Sequence, residues 1–266
     1  MQDQYNRNIN YLRISVTDRC NLRCVYCMPP EGIPAFQHEE ILSYEEIRDI
    51  TADLAKKGVD KVRLTGGEPL VRRDIDKLIS MLSAIPGIAD LSMTTNGILL
   101  EKSAQKLKSA GLHRVNISLD SLNPERYREI TRGGDVNQVL RGIKAAQNAG
   151  LNPIKINMVR NQFTLPDDEL ELREFCRKNG LELRFIQEMN LENGVFTYVE
   201  GGDGGNCKIC NRLRLTANGL LKPCLFSDLA FDVRKLGIEK ALEMSLKQKP
   251  KSGSKSIKGH FNQIGG

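Results

Sequence analysis

The sequence predicts an α/β fold built from parallel βα units, on three observations. Short apolar or alternating runs recur between longer runs that carry apolar residues at three- and four-residue spacing. Gly58, Gly111, Gly150 and Gly180 each stand just before a strand-like run, where a left-handed cap commonly ends a helix. Neither the dinucleotide fingerprint GxGxxG nor the phosphate loop GxxxxGK[ST] occurs, so the usual grounds for an open doubly wound nucleotide fold are missing. In chain order, the first strand is expected over 11–16, a helix over 43–57, a strand over 61–65 and a helix over 74–84. Further strands are expected over 91–95, 114–119, 154–159 and 181–187, each beside a helical run. Gly201 to Asn206 forms a glycine-rich linker, and the body of βα units should end near residue 190. Beyond it, 212–215 and 220–224 pair as a hairpin around Asn218 and Gly219, and 233–247 forms a last helix.

Six of the seven cysteines fall into two groups of three. Cys20, Cys24 and Cys27 follow the first strand as CxxxCxxC, and Cys207, Cys210 and Cys224 form a CxxC with a distant third member. A structural zinc site wants four ligands, whereas three cysteines on a cubane iron-sulfur cluster leave one iron open to a small molecule. The only histidines, His38, His113 and His260, stand beside neither group. For the second group taken alone, zinc remains open, because CxxC with a further cysteine is a common zinc half-site. Cys176, without a cysteine neighbour, reads as a small buried apolar residue.

Composition excludes several classes. No apolar stretch approaches the length of a membrane span and the amino terminus has no leader pattern, so a soluble, cytoplasmic protein is expected. Clustered cysteines in a reducing compartment point to metal rather than disulfides. A formal charge of +6 is partly carried late, by Lys247, Lys249, Lys251, Lys255 and Lys258, a run that reads as a solvated tail. With no Trp there is little sign of a stacking platform, and no nucleic-acid partner is expected.

The CxxxCxxC loop with Tyr26 before its third cysteine resembles the signature of the radical S-adenosylmethionine (SAM) superfamily. Within it, the runs at 18–29, 62–70, 94–97, 116–121 and 210–216 together resemble the GTP 3',8-cyclases of molybdenum cofactor biosynthesis, and Gly265 and Gly266 fit as well. The resemblance implies a partial (βα)6 TIM-type barrel over 1–190, a shortened linker over 191–206 and a small iron-sulfur region over 207–266. It implies two 4Fe-4S clusters, on Cys20, Cys24 and Cys27 and on Cys207, Cys210 and Cys224. It implies that Tyr26, Gly67, Ser118 and Met189 bind SAM. It implies that Arg13, Arg63, Thr94, Lys155, Arg212, Leu213 and Arg214 bind GTP, with Arg13, Arg212 and Arg214 serving catalysis. The expected partners are GTP and an electron donor such as flavodoxin or ferredoxin, with a homodimer admitted. Two other readings remain at this point: a radical SAM enzyme acting on another substrate, such as a peptide, and a non-enzymatic zinc protein.

Overall fold

Six strands follow one another in chain order: β1 (Tyr11–Ser15), β2 (Lys61–Thr65), β3 (Asp90–Thr95), β4 (Arg114–Ser118), β5 (Lys155–Arg160) and β6 (Glu182–Gln187). Each lies parallel to the next. They are linked by helices α1 (Tyr44–Lys56), α2 (Ile75–Ser83), α3 (Leu100–Ser109), the pair α4 (Pro124–Thr131) and α5 (Val136–Asn148), and α6 (Pro166–Asn179). The structure is a computed structural model describing residues 1–194, 196–257 and 264; Lys258, His260 and the Gly265 and Gly266 pair lie outside the described residues. Each of the six expected barrel strands is present with its ends within a residue of the expectation, while the strand expected over 220–224 ends at Lys222. Gly58, Gly111, Gly150 and Gly180 all take positive φ, as the expected caps require.

Local chemistry explains the helix starts. Ser43 accepts from the Glu46 main chain while the Glu46 carboxylate accepts from the Ser43 main chain, closing a capping box on α1. Asn123 and Pro124 open α4, and the Asp135 side chain caps α5.

The hairpin β7 (Arg212–Leu215) and β8 (Leu220–Lys222) does not stand apart from the barrel. β7 lies parallel to β1, so the nine-stranded sheet runs β6-β5-β4-β3-β2-β1-β7-β8-β9, with β9 (Phe231–Asp232) at its edge. The helix expected over 233–247 is two, α7 (Val233–Leu236) and α8 (Ile238–Lys247). Gly237, at φ 74 and ψ 156, turns the chain between them, which the helical periodicity on either side did not reveal.

Alternation along the strands gives the sheet two unlike faces. Leu12, Ile14, Val62, Leu64, Leu91 and Met93 are fully buried in a core shared with Ile47, Leu54, Leu78 and Leu82 of the helices. Each such side chain contributes about 1.5–3 kcal/mol on burial. The intervening residues, among them Arg13, Arg63, Thr94, Ser118 and Lys155, face a cavity instead. Parallel strands buried on both faces usually read as continuous apolar runs. Here they alternate because one face must stay polar. Among the described residues no helix is long and apolar enough to cross a membrane.

Candidate active site

The cavity on the polar face has a volume of about 590 Å³, and both cysteine groups line it. Cys20, Cys24 and Cys27 stand on the loop leaving β1, at the carboxyl ends of the strands, where barrels of this kind place chemistry.

Two neighbours fix that loop. On one side Gly66 and Gly67 cross it closely, with Gly67 N donating to Thr17 O at 2.7 Å and Glu68 N to Arg19 O at 2.8 Å. A Cβ on Gly66 would lie 2.5 Å from Thr17 O, and one on Gly67 would lie 2.3 Å from Arg19 O. Any side chain there would push the loop away. On the other side the end of α4 supplies Ile130 O and Thr131 O to Val25 N and Arg23 N. The Arg132 guanidinium donates to Arg23 O and Met28 O.

Two buried carboxylates border the same loop. Glu68 accepts from Thr95 Oγ1, Leu70 N and Asn96 N, and burial nevertheless raises it to about 7. Asp120 accepts from Tyr26 Oη at 2.7 Å and Val159 N at 2.8 Å, and burial raises it to about 6. The three thiols are correspondingly reluctant to ionise. Burial, and then Glu68, pushes Cys20 up; burial followed by Asp120, Cys27 and Cys20 pushes Cys24 well up; burial and Cys20 raise Cys27 to about 11. Three crowded thiols of this kind become ligands only beside a cationic centre, which the irons of a cubane supply. Among the described residues no three His, Cys, Asp or Glu side chains are grouped to hold a metal ion. Three cysteines match a cubane that keeps one iron open, where a structural zinc wants four ligands.

The second group has cations beside it, although burial, only partly offset by Lys249 and Arg214, still raises Cys224. Burial alone would raise Cys210, but the Lys249 ammonium, the Arg212 main chain and the Arg212 and Arg214 guanidinia hold it below the ordinary thiol range. Strand register assembles further cations. Arg214 on β7, Arg13 on β1 and Arg63 on β2 are successive register partners, and the row continues through Ser92 to Arg114. Burial and the neighbouring Arg214 depress Arg13, and burial and Arg212 bring Arg214 to about 10. Tyr11 faces both Arg63 and Arg212 from 5.5 and 5.7 Å. Asp90 pairs with Arg114 and Glu182 with Lys155, at 2.5 and 2.7 Å. Bringing in an anion would relieve the crowding of positive charge around Arg13.

Of the residues singled out by sequence, Arg13, Tyr26, Arg63, Gly67, Thr94, Ser118, Lys155, Met189, Arg212 and Arg214 line one cavity with all six grouped cysteines. Leu213 does not; its side chain is fully buried in the core, opposite Leu12, as alternation between Arg212 and Arg214 requires. The connection before the second group contributes Phe196, Thr197, Val199 and 203–206 to the cavity lining. Sequence reasoning missed Asp120, although AsnIleSerLeuAsp places it two residues after Ser118. It also missed Arg184, which lines the cavity from β6. Lys249 was taken for part of a solvated tail and is instead 1% exposed.

A partial barrel with three loop cysteines at the strand ends and a polar inner face defines a class, the iron-sulfur enzymes that cleave SAM to start radical reactions. The sequence model of the Radical SAM superfamily matches residues 14–177. A GTP 3',8-cyclase of Clostridium botulinum is 43% identical over 88% of this chain and 86% of its own length. One from Petrotoga mobilis is 41% identical over the whole of both chains. That alignment has 324 positions against the 266 residues here, so at least 58 stand opposite a gap in this chain. Among solved structures, Streptococcus suis SuiB bound to S-adenosylmethionine has a TM-score of 0.68 at 16% identity, over 91% of this chain and 66% of that one. Native anSMEcpe with bound AdoMet has a TM-score of 0.65 at 16% identity, over 88% and 80%. The chain belongs to the radical SAM superfamily and, within it, to the GTP 3',8-cyclase family. A 4Fe-4S cluster and SAM come with that membership.

Proposed function

We propose that the cavity converts GTP to 3',8-cyclo-7,8-dihydro-GTP, joining ribose C3' to guanine C8 in the first step of molybdenum cofactor biosynthesis. The observation that carries this reading is the in-register row Arg214, Arg13 and Arg63, which faces the same cavity as both cysteine groups. A planar guanidinium offers paired donors to phosphate oxygens and keeps its charge, so three neighbours in register suit a polyanion such as a triphosphate.

Cys20, Cys24 and Cys27 hold the first cluster, with Tyr26, Gly67, Ser118 and Met189 around SAM. When bound, this pair supplies a carbon radical strong enough to remove the ribose 3' hydrogen. Arg13, Arg63, Lys155, Arg212 and Arg214 anchor the phosphates, Thr94 adds a hydroxyl, and Cys207, Cys210 and Cys224 hold a second 4Fe-4S cluster beside the base. The protein's contribution is orientation and exclusion of water, because a radical held close to one hydrogen reacts there before it meets others. A net charge of +6 suits an acidic one-electron donor such as flavodoxin or ferredoxin, and the reducing cytoplasm suits the free thiols.

Anaerobic reconstitution, followed by reductant and SAM with and without GTP, tests the reading. GTP-dependent formation of both 5'-deoxyadenosine and cyclised nucleotide is expected. Deoxyadenosine that forms without any response to GTP would leave the radical chemistry and remove the substrate, returning attention to a peptide or another substrate.

A further inference from the structure

Lys249 belongs to the lysine-rich run that reads as a solvated tail, yet it is 1% exposed. Its ammonium donates to Arg212 O at 2.7 Å and to Pro223 O. Arg212 lies two residues beyond Cys210, and Pro223 immediately precedes Cys224. One side chain therefore ties together the two strand arms, β7 and the end of β8, from which those cysteines project.

The lysine is itself held from behind. Gln4 Nε2 donates to Lys249 O at 2.9 Å. The Arg7 guanidinium, paired with Asp3 at 2.6 Å, donates to Pro250 O, Lys251 O and Cys207 O. All three cysteine-bearing positions of the second group are thus bound, directly or within two residues, to a buried cation. Two neutral carbonyls do not offset the several kcal/mol that burying an ammonium costs. An anion nearby would, and three cysteine thiolates carrying a cubane make one.

We infer that Lys249 is a positioning residue for the second iron-sulfur site, clamping the Cys210 and Cys224 arms while its charge stabilises the anionic cluster between them. The inference rests on the two-cluster reading above. It gives Lys249 a specific task, in place of general solubility.

The test compares wild-type protein with Lys249→Met and Lys249→Arg after anaerobic reconstitution. Iron and sulfide per chain are counted, and each cluster's midpoint potential is followed by electron paramagnetic resonance. Wild type should carry two clusters. Lys249→Met should fall to about one, with the first cluster's signal and its response to SAM unchanged, and any residual second cluster should titrate at a lower potential. Lys249→Arg, which keeps the charge, should recover the second cluster. Two clusters with unchanged potentials in Lys249→Met would overturn the inference. So would loss of both clusters, because that marks a general support of the fold. Wild type with a single cluster would remove the two-cluster reading, and the inference with it, before any variant is compared.

Discussion

The two cysteine groups share a cavity and sit in opposite electrical surroundings. Burial pushes the thiols of Cys20, Cys24 and Cys27 up, and the buried carboxylates Glu68, beside Cys20, and Asp120, beside Cys24, add to that push. Around Cys210 the charged neighbours are Lys249, Arg212 and Arg214, and the thiol is drawn down. SAM carries a sulfonium and an ammonium group, while a nucleoside triphosphate carries several negative charges. The first set of surroundings suits a cation and the second an anion, which is the arrangement the proposed function calls for.

The largest effect should come from removing one cysteine group at a time. Replacing Cys20, Cys24 and Cys27 together with Ala should abolish SAM cleavage. Replacing Cys207, Cys210 and Cys224 with Ala should leave SAM cleavage measurable and abolish cyclised nucleotide. Product analysis by chromatography distinguishes the two. Equal loss of both products in the second variant would break the division of labour.

The cationic end is tested next by Arg212→Ala combined with Arg214→Ala. Truncating one partner of a buried charged pair costs about 2–5 kcal/mol, so affinity for GTP should fall at least about 30-fold, with the first cluster intact. Binding titrations with GTP and guanosine sharpen the point. The loss should be large for the triphosphate and small for the nucleoside.

These cations show where sequence reasoning reached and where it stopped. Period-two alternation put Arg13, Arg63, Arg212 and Arg214 on strands, and the motifs made them candidates for one site. That Arg214 would stand opposite Arg13 was not legible, because it depends on β7 pairing with β1 across some 200 residues of chain, a contact that no local pattern encodes. Leu213 was grouped with its neighbours by motif, and alternation sends it the other way. Lys249 was misread for a similar reason. A lysine-rich run with no apolar periodicity looks solvated, and only Arg7, Gln4 and the hairpin, all distant in sequence, bury it.

At the acidic end, Glu68 supplies a pH test. Burial raises it from 4.5 to about 7 in the folded protein, so folding favours its protonated form. Its contribution is fully present below about pH 4.5 and is lost as pH rises through about 7, by about 3 kcal/mol. Chemical unfolding of cluster-free protein under reducing conditions should therefore show midpoints that fall between pH 5 and pH 8. Glu68→Gln should flatten that slope and lower stability below about pH 5, because one amide oxygen cannot accept all that Thr95, Leu70 and Asn96 donate.

The smallest effect is expected at the link between Tyr26 and Asp120. Asp120 accepts from Tyr26 on one oxygen and from Val159 N on the other, so it fastens the cysteine loop to the start of the segment beyond β4 and to β5. Asp120→Asn can keep both contacts, the amide oxygen taking Val159 N while the amide nitrogen donates to the tyrosine oxygen. The cost should be about 1 kcal/mol, a roughly fivefold loss in SAM affinity. Asp120→Ala leaves Val159 N and the tyrosine hydroxyl without that partner and should cost more. Neither variant should alter GTP affinity if the two ends of the cavity act independently. An equal weakening of GTP binding would mean that the carboxylate end and the arginine row communicate through β4 and β5, and the electrical division would then be one coupled site.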